Sequence, residues 1–370
     1  MTGLITKGDK LEYRLMRFLF YQGYFVRRNF LLKTSLEAKL SDATDIDVLG
    51  VNYDTQFLEY RVICECKSGG KAHPIGNSLS LKTTSAILEA NLAILALNSA
   101  TWDIKEFGSN INIKVLTQDR LSEIEQELAI DPDAWVASTD FVFYEQKWNE
   151  WQRILSGDRI AERLLELLRT EFWLRSPWVL VHRLMAAVNE LGKRIVLTRD
   201  GSAEQELSVW LLYESVIHFA IASLRVCSKV YYLSRNQREG IIEKHLTWGE
   251  DPKRSKESFE AAIKFAAEVA KQPHSTSTPI VAPPEYAESF IDLIARLCSK
   301  PQAASPVART LELALFHFLF RQEPIDETVM TLFLGTDFYA YKIKAAKDII
   351  MFLVNNTSMP RELFAPFLDS

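Results

Sequence analysis

Acidic residues and a lysine flank two apolar stretches within residues 44–67. Asp45 and Asp47 stand at the start of the first stretch, and Glu65 and Lys67 stand at the end of the second. Because side chains two positions apart share one face of a strand, a hairpin of the two stretches would bring carboxylates and an ammonium group together at one end of a sheet. Carboxylate oxygens are the ligands that Mg²⁺ prefers, and a lysine beside the metal can position the attacking water or stabilise a phosphate. The spacing therefore predicts a divalent-metal site.

This ordered set resembles the core of the PD-(D/E)xK nuclease superfamily. In that family an aspartate opens one strand, here Asp47, and an E-x-K motif lies on the next strand, here residues 65–67. A preceding helix often supplies another acid, for which Glu12 is placed. The layout is most similar to Mrr-type restriction endonucleases and archaeal Holliday-junction resolvases, over roughly residues 1–118. The sequence departs from the family name because no proline precedes Asp45 or Asp47.

The resemblance implies a restriction-endonuclease-like α/β domain that cuts DNA with Mg²⁺, for which Mn²⁺ can substitute. It implies that Asp47 and Glu65 hold the metal, with Glu12 and the carbonyl group of Cys66 as further ligands. Lys67 would position or help to deprotonate the attacking water. Asp45 remains the second choice for the aspartate ligand, and a homodimer is expected because two strands need two sites.

A purely structural role is the alternative for these residues. An E-x-K at a strand end is often a solvated edge pair, and a D-x-D before a strand is often a turn cap. The order of helical acid, strand acid and E-x-K favours the nuclease interpretation.

The length and composition predict two domains of an ordinary globular protein. The chain has 370 residues, of which 48% are hydrophobic and 25% charged. We expect a nuclease-like domain over residues 1–150 and a mostly α-helical domain over residues 151–370 that selects substrate, forms oligomers or docks a partner protein. The four cysteines form no C-x-x-C motif, which favours a reduced, cytoplasmic location. The most apolar helical stretch, residues 207–232, contains charged residues, which argues against a membrane span.

The charge distribution is uneven along the chain. The net charge is −5, yet residues 1–40 hold eight Lys and Arg against three Asp and Glu. The N-terminal part is therefore the expected nucleic-acid face. Candidate phosphate contacts are Arg14, Arg17, Arg27, Arg28, Lys33, Lys71 and Lys82. A solvated helix face is the alternative for Arg14 and Arg17.

Hydrophobic periodicity and turn residues predict the elements that carry these groups. In the N-terminal part we expect helices over 8–23, 80–96 and 121–128, and strands over 24–30, 44–51, 62–67, 111–117 and 140–144. From residue 158 the pattern predicts helices over 158–174, 178–193, 203–233, 236–246, 252–271, 285–299, 306–321, 325–334 and 337–355. An extended linker is expected over residues 274–284.

Three other functions remain open. Arg238 and His245 have the R-x6-H spacing of the RNase motif of HEPN domains, which are also helical. A second alternative is a non-catalytic subunit that binds nucleic acid through a nuclease fold. A third is a nuclease held inactive until a partner arrives. For the nuclease itself, a defence or mobile-element setting is expected, because it is joined to a helical domain of an unfamiliar kind.

Overall fold

The computed structural model describes residues 7–33, 42–68, 73–131, 133, 135–269, 281–322, 326–335 and 339–369. The predicted combination of an N-terminal α/β part and a mostly helical remainder is confirmed. The N-terminal elements, in chain order, are α1 (Lys7–Tyr21), β1 (Phe25–Lys33), β2 (Asp42–Tyr53), β3 (Glu59–Lys67), α2 (Pro74–Ile87), β4 (Leu92–Leu97), α3 (Trp102–Asn110), β5 (Lys114–Thr117) and α4 (Gln118–Glu127).

The five strands form one mixed sheet in the order β1-β2-β3-β4-β5. β2 runs antiparallel to both of its neighbours, β1 and β3, whereas β3, β4 and β5 run parallel to one another. The carboxyl ends of β3, β4 and β5 therefore share one edge of the sheet, and the amino end of β2 lies beside them. This edge carries Asp47, Glu65 and Lys67, the acids and the lysine from which the sequence predicts a metal site.

Two predicted elements in this part were wrong. The helix predicted over 80–96 begins earlier, at Pro74, and ends at Ile87, and Leu92–Leu97 forms β4 instead. The chain turns between them with Glu89 in the left-handed region, at φ 51°. A strand buried between parallel neighbours is apolar throughout, so its sequence cannot be told from a buried helix by periodicity.

The strand predicted over residues 140–144 is also wrong, because a helix begins there. The Asp140 carboxylate accepts a hydrogen bond from the Phe143 backbone N–H at 3.2 Å and so caps this helix. The strand predicted over 111–117 is shorter, since it begins only at Lys114.

The remaining helices include those predicted from residue 158 onwards, which lie close to their predicted positions, and those over Phe141–Leu155, Pro301–Ala304 and Ala365–Leu368, which were not predicted. They are α5 (Phe141–Leu155), α6 (Arg159–Arg169), α7 (Pro177–Leu197), α8 (Ala203–Val230), α9 (Arg235–Trp248), α10 (Pro252–Val269), α11 (Ala287–Ser299), α12 (Pro301–Ala304), α13 (Val307–Arg321), α14 (Glu327–Leu334), α15 (Tyr339–Asn356) and α16 (Ala365–Leu368). Most of the predicted linker, residues 274–280, lies outside the described residues.

Helix α8 is the centre of the helical part. Within the described ranges it is the one helix long and apolar enough to cross a membrane, and 94% of its apolar window is buried inside the protein. It packs against α5, α6, α7, α11, α13 and α15. Burial of this kind is what a core helix of a globular protein shows.

A continuous hydrophobic core joins the sheet to the helices. The domain boundary expected between residues 150 and 151 falls inside α5. Charged pairs also cross between the two parts, since Arg27 of β1 binds Glu214 of α8 and Glu312 of α13 at 2.9 and 2.6 Å. The sheet is therefore one layer of a larger packed body.

Candidate functional site

Strands β2 and β3 stop pairing where the predicted acids begin. The last paired residues are Val48 and Cys64. Beyond them, the Asp47 carboxylate accepts a hydrogen bond from the Cys66 backbone N–H at 2.5 Å. An acid side chain thus takes the place of a backbone partner, and this holds the Asp47 carboxylate at the carboxyl end of β3.

The environment of Asp47 disfavours its charged form. The residue is only 9% exposed, and burial raises its pKa to about 7. The nearby charges of Glu65 and Glu12 raise the pKa further, whereas the Cys66 N–H and Lys67 oppose the rise. An acid whose pKa is shifted this far, next to other charged groups, is typical of functional sites.

Glu65 and Lys67 form a direct ion pair beside Asp47. Both side chains remain partly exposed, at 21% and 37%. Burial lowers the pKa of Lys67, but the hydrogen bond and charge of Glu65 outweigh it, so the pKa is raised overall. Lys67 therefore remains a cation that reaches solvent at the edge of the sheet.

Glu12 of α1 belongs to the same group but is held by an arginine of β1. The Arg28 guanidinium donates to the Glu12 carboxylate through Nε at 2.9 Å and through Nη2 at 2.5 Å. Arg28 also donates to Asp9 at 3.1 Å. Burial raises the pKa of Glu12 by more than Arg28 lowers it, so this acid too lacks full compensation by positive charge.

The donor chemistry of this cluster fits a hard divalent cation. Asp47, Glu65 and Glu12 offer carboxylate oxygens, and a cation would offset both their burial and their mutual repulsion. Within the described ranges, however, no three His, Cys, Asp or Glu side chains already stand in a metal-binding arrangement. Arg28 holds Glu12, and Lys67 holds Glu65. Metal binding therefore requires an acid to exchange its cationic partner for the metal.

The structure separates the two candidate aspartates by their exposure. Asp45 is exposed, whereas Asp47 is buried within the cluster. Cys66, whose carbonyl group was a predicted ligand, pairs with Ala96 of β4. Burial also raises the pKa of its thiol, so the side chain stays neutral.

Two predicted phosphate contacts on α1 face the protein instead. Arg14 forms an ion pair with Glu125 of α4 at 2.7 Å. Arg17 is 2% exposed, stacks on Trp135 at 3.9 Å and also binds Glu125 at 3.3 Å. The alternative of a solvated face is therefore wrong for Arg17.

The arginines of β1 are likewise engaged inside the protein. Arg27 is bound by the carboxylates of Glu214 and Glu312, and Arg28 is bound by Glu12. The prediction of Arg27 as a phosphate contact is wrong, because its guanidinium lies between two buried carboxylates. The two arginines of β1 therefore bind acids on the helices that pack against the strand.

The remaining predicted phosphate contacts are Lys33, Lys71 and Lys82. Lys82 is exposed on α2. Lys71 lies outside the described residues. Lys33 ends β1, and its side chain is also outside the described set. Lys82 therefore remains a predicted phosphate contact, and its exposed side chain is free to reach a phosphate group from solvent.

A chain of amides at the same edge was missed by the sequence analysis. Asn98, which follows β4, donates to the Ser68 carbonyl oxygen at 2.6 Å, and Gln118 donates to the Asn98 side-chain oxygen at 2.8 Å. These amides lie beside Lys67, because Lys67 pairs with Leu97. Their position could have been predicted only if β4 had been recognised as a strand.

Arg238 and His245 contact different groups. His245 stacks on Trp178 with ring centroids 4.6 Å apart and approaches the Gly249 carbonyl oxygen at 2.8 Å. Arg238 instead donates weakly to the Leu233 carbonyl oxygen at 3.4 Å. The His245 contacts are those of a residue that closes the end of α9.

Comparisons of the chain with protein-family models, with curated proteins and with solved structures found no match.

Proposed function

We propose that this chain is a metal-dependent endonuclease with a restriction-endonuclease-like N-terminal part, and that its substrate is DNA. One observation carries the proposal. The buried carboxylate of Asp47 is held at a strand end by a backbone N–H, beside the Glu65–Lys67 pair. A structural edge pair would not need a buried acid whose pKa is raised to about 7.

The order of elements supports the same proposal. A helix, three antiparallel strands, a helix and a parallel strand follow one another from α1 to β4. The resemblance to the PD-(D/E)xK superfamily leads to the expectation of this order. The inference of DNA as substrate rests on that resemblance, because a fold alone does not specify function.

The proposed roles follow from the contacts. Mg²⁺ held by Asp47 and Glu65, with Glu12 and the Cys66 carbonyl group, would activate water and polarise the scissile phosphate. Once Glu65 is engaged elsewhere, the Lys67 ammonium group is released to donate to the attacking water or to a phosphate oxygen. The Cys66 N–H keeps the Asp47 carboxylate oriented throughout.

The helical part would then support substrate selection or association with a second subunit. The exposed lysine of α2, Lys82, is the described candidate for a phosphate contact on the α/β part. A nuclease that awaits a partner protein is the second form of this proposal. The observation that supports it is the ion pair between Arg28 and Glu12, because Arg28 binds a carboxylate that the metal would need.

Cleavage assays with purified protein test the proposal. We would compare wild type, Lys67→Ala, Asp47→Asn and Asp45→Asn on linear, supercoiled, single-stranded and four-way-junction DNA and on RNA, with Mg²⁺, Mn²⁺ or EDTA. We expect metal-dependent cutting that falls about 100-fold or more in Lys67→Ala and in Asp47→Asn, but not in Asp45→Asn.

Lys114→Ala is the matched control, because Lys114 is exposed at the amino end of β5, on the opposite edge of the sheet. Cutting of RNA that survives both EDTA and Lys67→Ala would move the chemistry to the helical part. The absence of cutting by folded wild type on every substrate would contradict a nuclease that acts alone.

A further inference from the structure

A surface cavity of about 230 Å³ lies where the hairpin of β2 and β3 meets helices α7 and α8. It is at the end of the hairpin that points away from the candidate metal site, since Tyr53 ends β2 and Glu59 begins β3. Glu65 is six residues further along β3, at a distance of about 20 Å. The cavity has room for a compact ligand of several heavy atoms, and it is separate from the candidate metal site.

The charged side chains that line this cavity are mostly cations. Four are basic and one is acidic: Arg61, Arg175, Arg225, Lys229 and Glu59. Pro177, the first residue of α7, lines it as well, so the positive end of the dipole of that helix adds to the same potential. The cavity therefore attracts negative charge.

The one carboxylate that lines the cavity is shared between two guanidinium groups. Glu59 accepts hydrogen bonds from Arg225 Nε at 2.6 Å and from Arg61 Nε at 2.5 Å. It also accepts from the Tyr53 hydroxyl at 2.7 Å. Because a single negative charge offsets only one of the two arginines, one positive charge remains in excess at this group.

A second carboxylate, beside the cavity, is shared in the same way. Glu171 accepts from Arg175 Nε at 2.6 Å and also binds Arg183. Lys229 is exposed, and among the described residues it has no ion-pair partner. In this group five cations are thus balanced by only two carboxylates, which leaves an excess of three positive charges.

These cations also keep N–H groups that no acceptor has taken. Toward the residues that the structure describes, Arg175 donates through Nε alone. Arg61 donates through Nε and through Nη1, the latter to the Leu88 carbonyl oxygen at 2.9 Å. Both side chains are partly exposed, at 24% and 18%. Their remaining Nη groups and the Lys229 ammonium group can therefore bind an oxyanion that enters from solvent.

We propose that this cavity binds a diphosphate group, either as free pyrophosphate or as the diphosphate of a nucleotide. Two linked phosphate groups carry about three negative charges near pH 7, which equals the excess of positive charge. Each phosphate can accept from the forked donors of an arginine, and Lys229 binds as a point charge. A small dicarboxylate carries less charge and would leave one cation uncompensated. The proposal does not depend on the nuclease proposal, because it concerns binding at a separate site.

Calorimetric titration at low salt near pH 7 tests the site. Divalent metal is first removed from the protein with a chelating resin, so that no ion can bridge the ligand to the acids around Asp47. We expect wild type to bind pyrophosphate about tenfold or more tightly than inorganic phosphate or malonate, because its higher charge engages more of the cations. ADP in a parallel titration distinguishes the two sources. Tighter binding of ADP would identify a nucleotide, and tighter binding of pyrophosphate would identify the free ion.

Two matched lysine variants separate this site from general attraction by positive charge. Lys229 and Lys193 are both exposed, and neither has an ion-pair partner in the described part of the chain. Lys193 lies on α7, sixteen positions beyond Pro177, and does not line the cavity. Lys229→Gln should therefore weaken pyrophosphate binding about tenfold, whereas Lys193→Gln should leave it unchanged. Circular dichroism and melting curves would establish that both variants fold.

Removing a second cation should abolish the binding. The double variant Lys229→Gln/Arg175→Gln leaves Glu171 paired with Arg183, and we expect no heat of binding from it at about 1 mM pyrophosphate. Equal weakening by Lys229→Gln and Lys193→Gln would overturn the role of the cavity. Binding of malonate as tight as that of pyrophosphate would overturn the choice of a diphosphate. No heat of binding by wild type at about 10 mM pyrophosphate would overturn the proposal.

Discussion

Asp47 is the residue on which the candidate site depends most. It is an acid at a position in β2 where the flanking Ile46 and Val48 are almost fully buried. The Cys66 N–H provides one hydrogen bond, which is too little to compensate a buried negative charge. The carboxylate is therefore a source of instability unless a cation or a proton joins it.

Replacing this acid with its amide should stabilise the metal-free protein at high pH. The pKa of Asp47 is raised to about 7 from an ordinary value near 4. Between these values the folded state holds a proton that the unfolded state has lost, so stability decreases as the pH rises and is lowest above about 7. We expect Asp47→Asn to raise the free energy of unfolding by about 1–3 kcal/mol at pH 8 in EDTA and by little at pH 4, measured by urea denaturation.

Asp45→Asn is the control for this measurement. Asp45 is exposed, and its replacement should change stability by about 0.5 kcal/mol or less at either pH. Added Mg²⁺ should raise the melting temperature of wild type but not of Asp47→Asn. A stability gain of equal size at pH 4 and pH 8 would contradict the raised pKa.

Helix α7 shows how closely the helical layers approach one another. Gly192 lies where α7 meets the segment after α15, and the Ser358 N–H donates to Asn189 of α7 at 2.9 Å. A Cβ atom at Gly192 would collide with the backbone of Ser358 and would lie 2.9 Å from the Met359 nitrogen. Glycine is needed here for close contact between segments.

Two glycine-to-alanine variants test this contact. Gly192→Ala should lower the free energy of unfolding by about 1–3 kcal/mol, because backbone cannot move aside as a side chain can. Gly240→Ala should raise it by about 0.5–1 kcal/mol, because alanine is the better helix former and no atom lies within 4 Å of the new Cβ. Chemical denaturation measures both. Stabilisation of similar size in both variants would show that helix propensity, and not contact with the Ser358 backbone, determines the effect.

The molecule as a whole is held together by buried charges as well as by apolar packing. Arg27 joins β1 to α8 and α13, and Arg225 of α8 binds Glu59 of β3 at 2.6 Å. Burial raises the pKa of Glu59, but Arg225 outweighs it and lowers the pKa to about 2. These pairs tie the strands that carry the candidate site to the central helix.

Loss of one such link should weaken the sheet and the helices together. Arg27→Met leaves Glu214 and Glu312 buried without their counter-charge, and we expect a loss of about 3–5 kcal/mol. Arg235→Met is the control, since its pair with Glu239 is exposed and its loss should leave the stability almost unchanged. Tryptophan fluorescence and far-ultraviolet circular dichroism should report one coincident transition. Separate transitions would show that the two parts unfold independently.

Most helices of the C-terminal part followed from their sequence because they are long, and some of them, such as α6, have a strong amphipathic period. The strand β4 did not, since its six residues are all apolar and a buried parallel strand has no alternating pattern. The same error concealed the position of Asn98, and with it the amides beside Lys67. Local pattern therefore predicted the order of elements well except where burial removed the pattern.

The spacing of Asp47, Glu65 and Lys67 was enough to predict that they share one end of a sheet, because strand geometry alternates side chains regularly. Only the tertiary structure decided which acidic side chains the nearby arginines bind. Arg27 resembles a surface phosphate contact in the sequence, yet its partner Glu312 is 285 positions away. Contacts over such distances depend on how layers pack, and local sequence pattern contains no information on that packing.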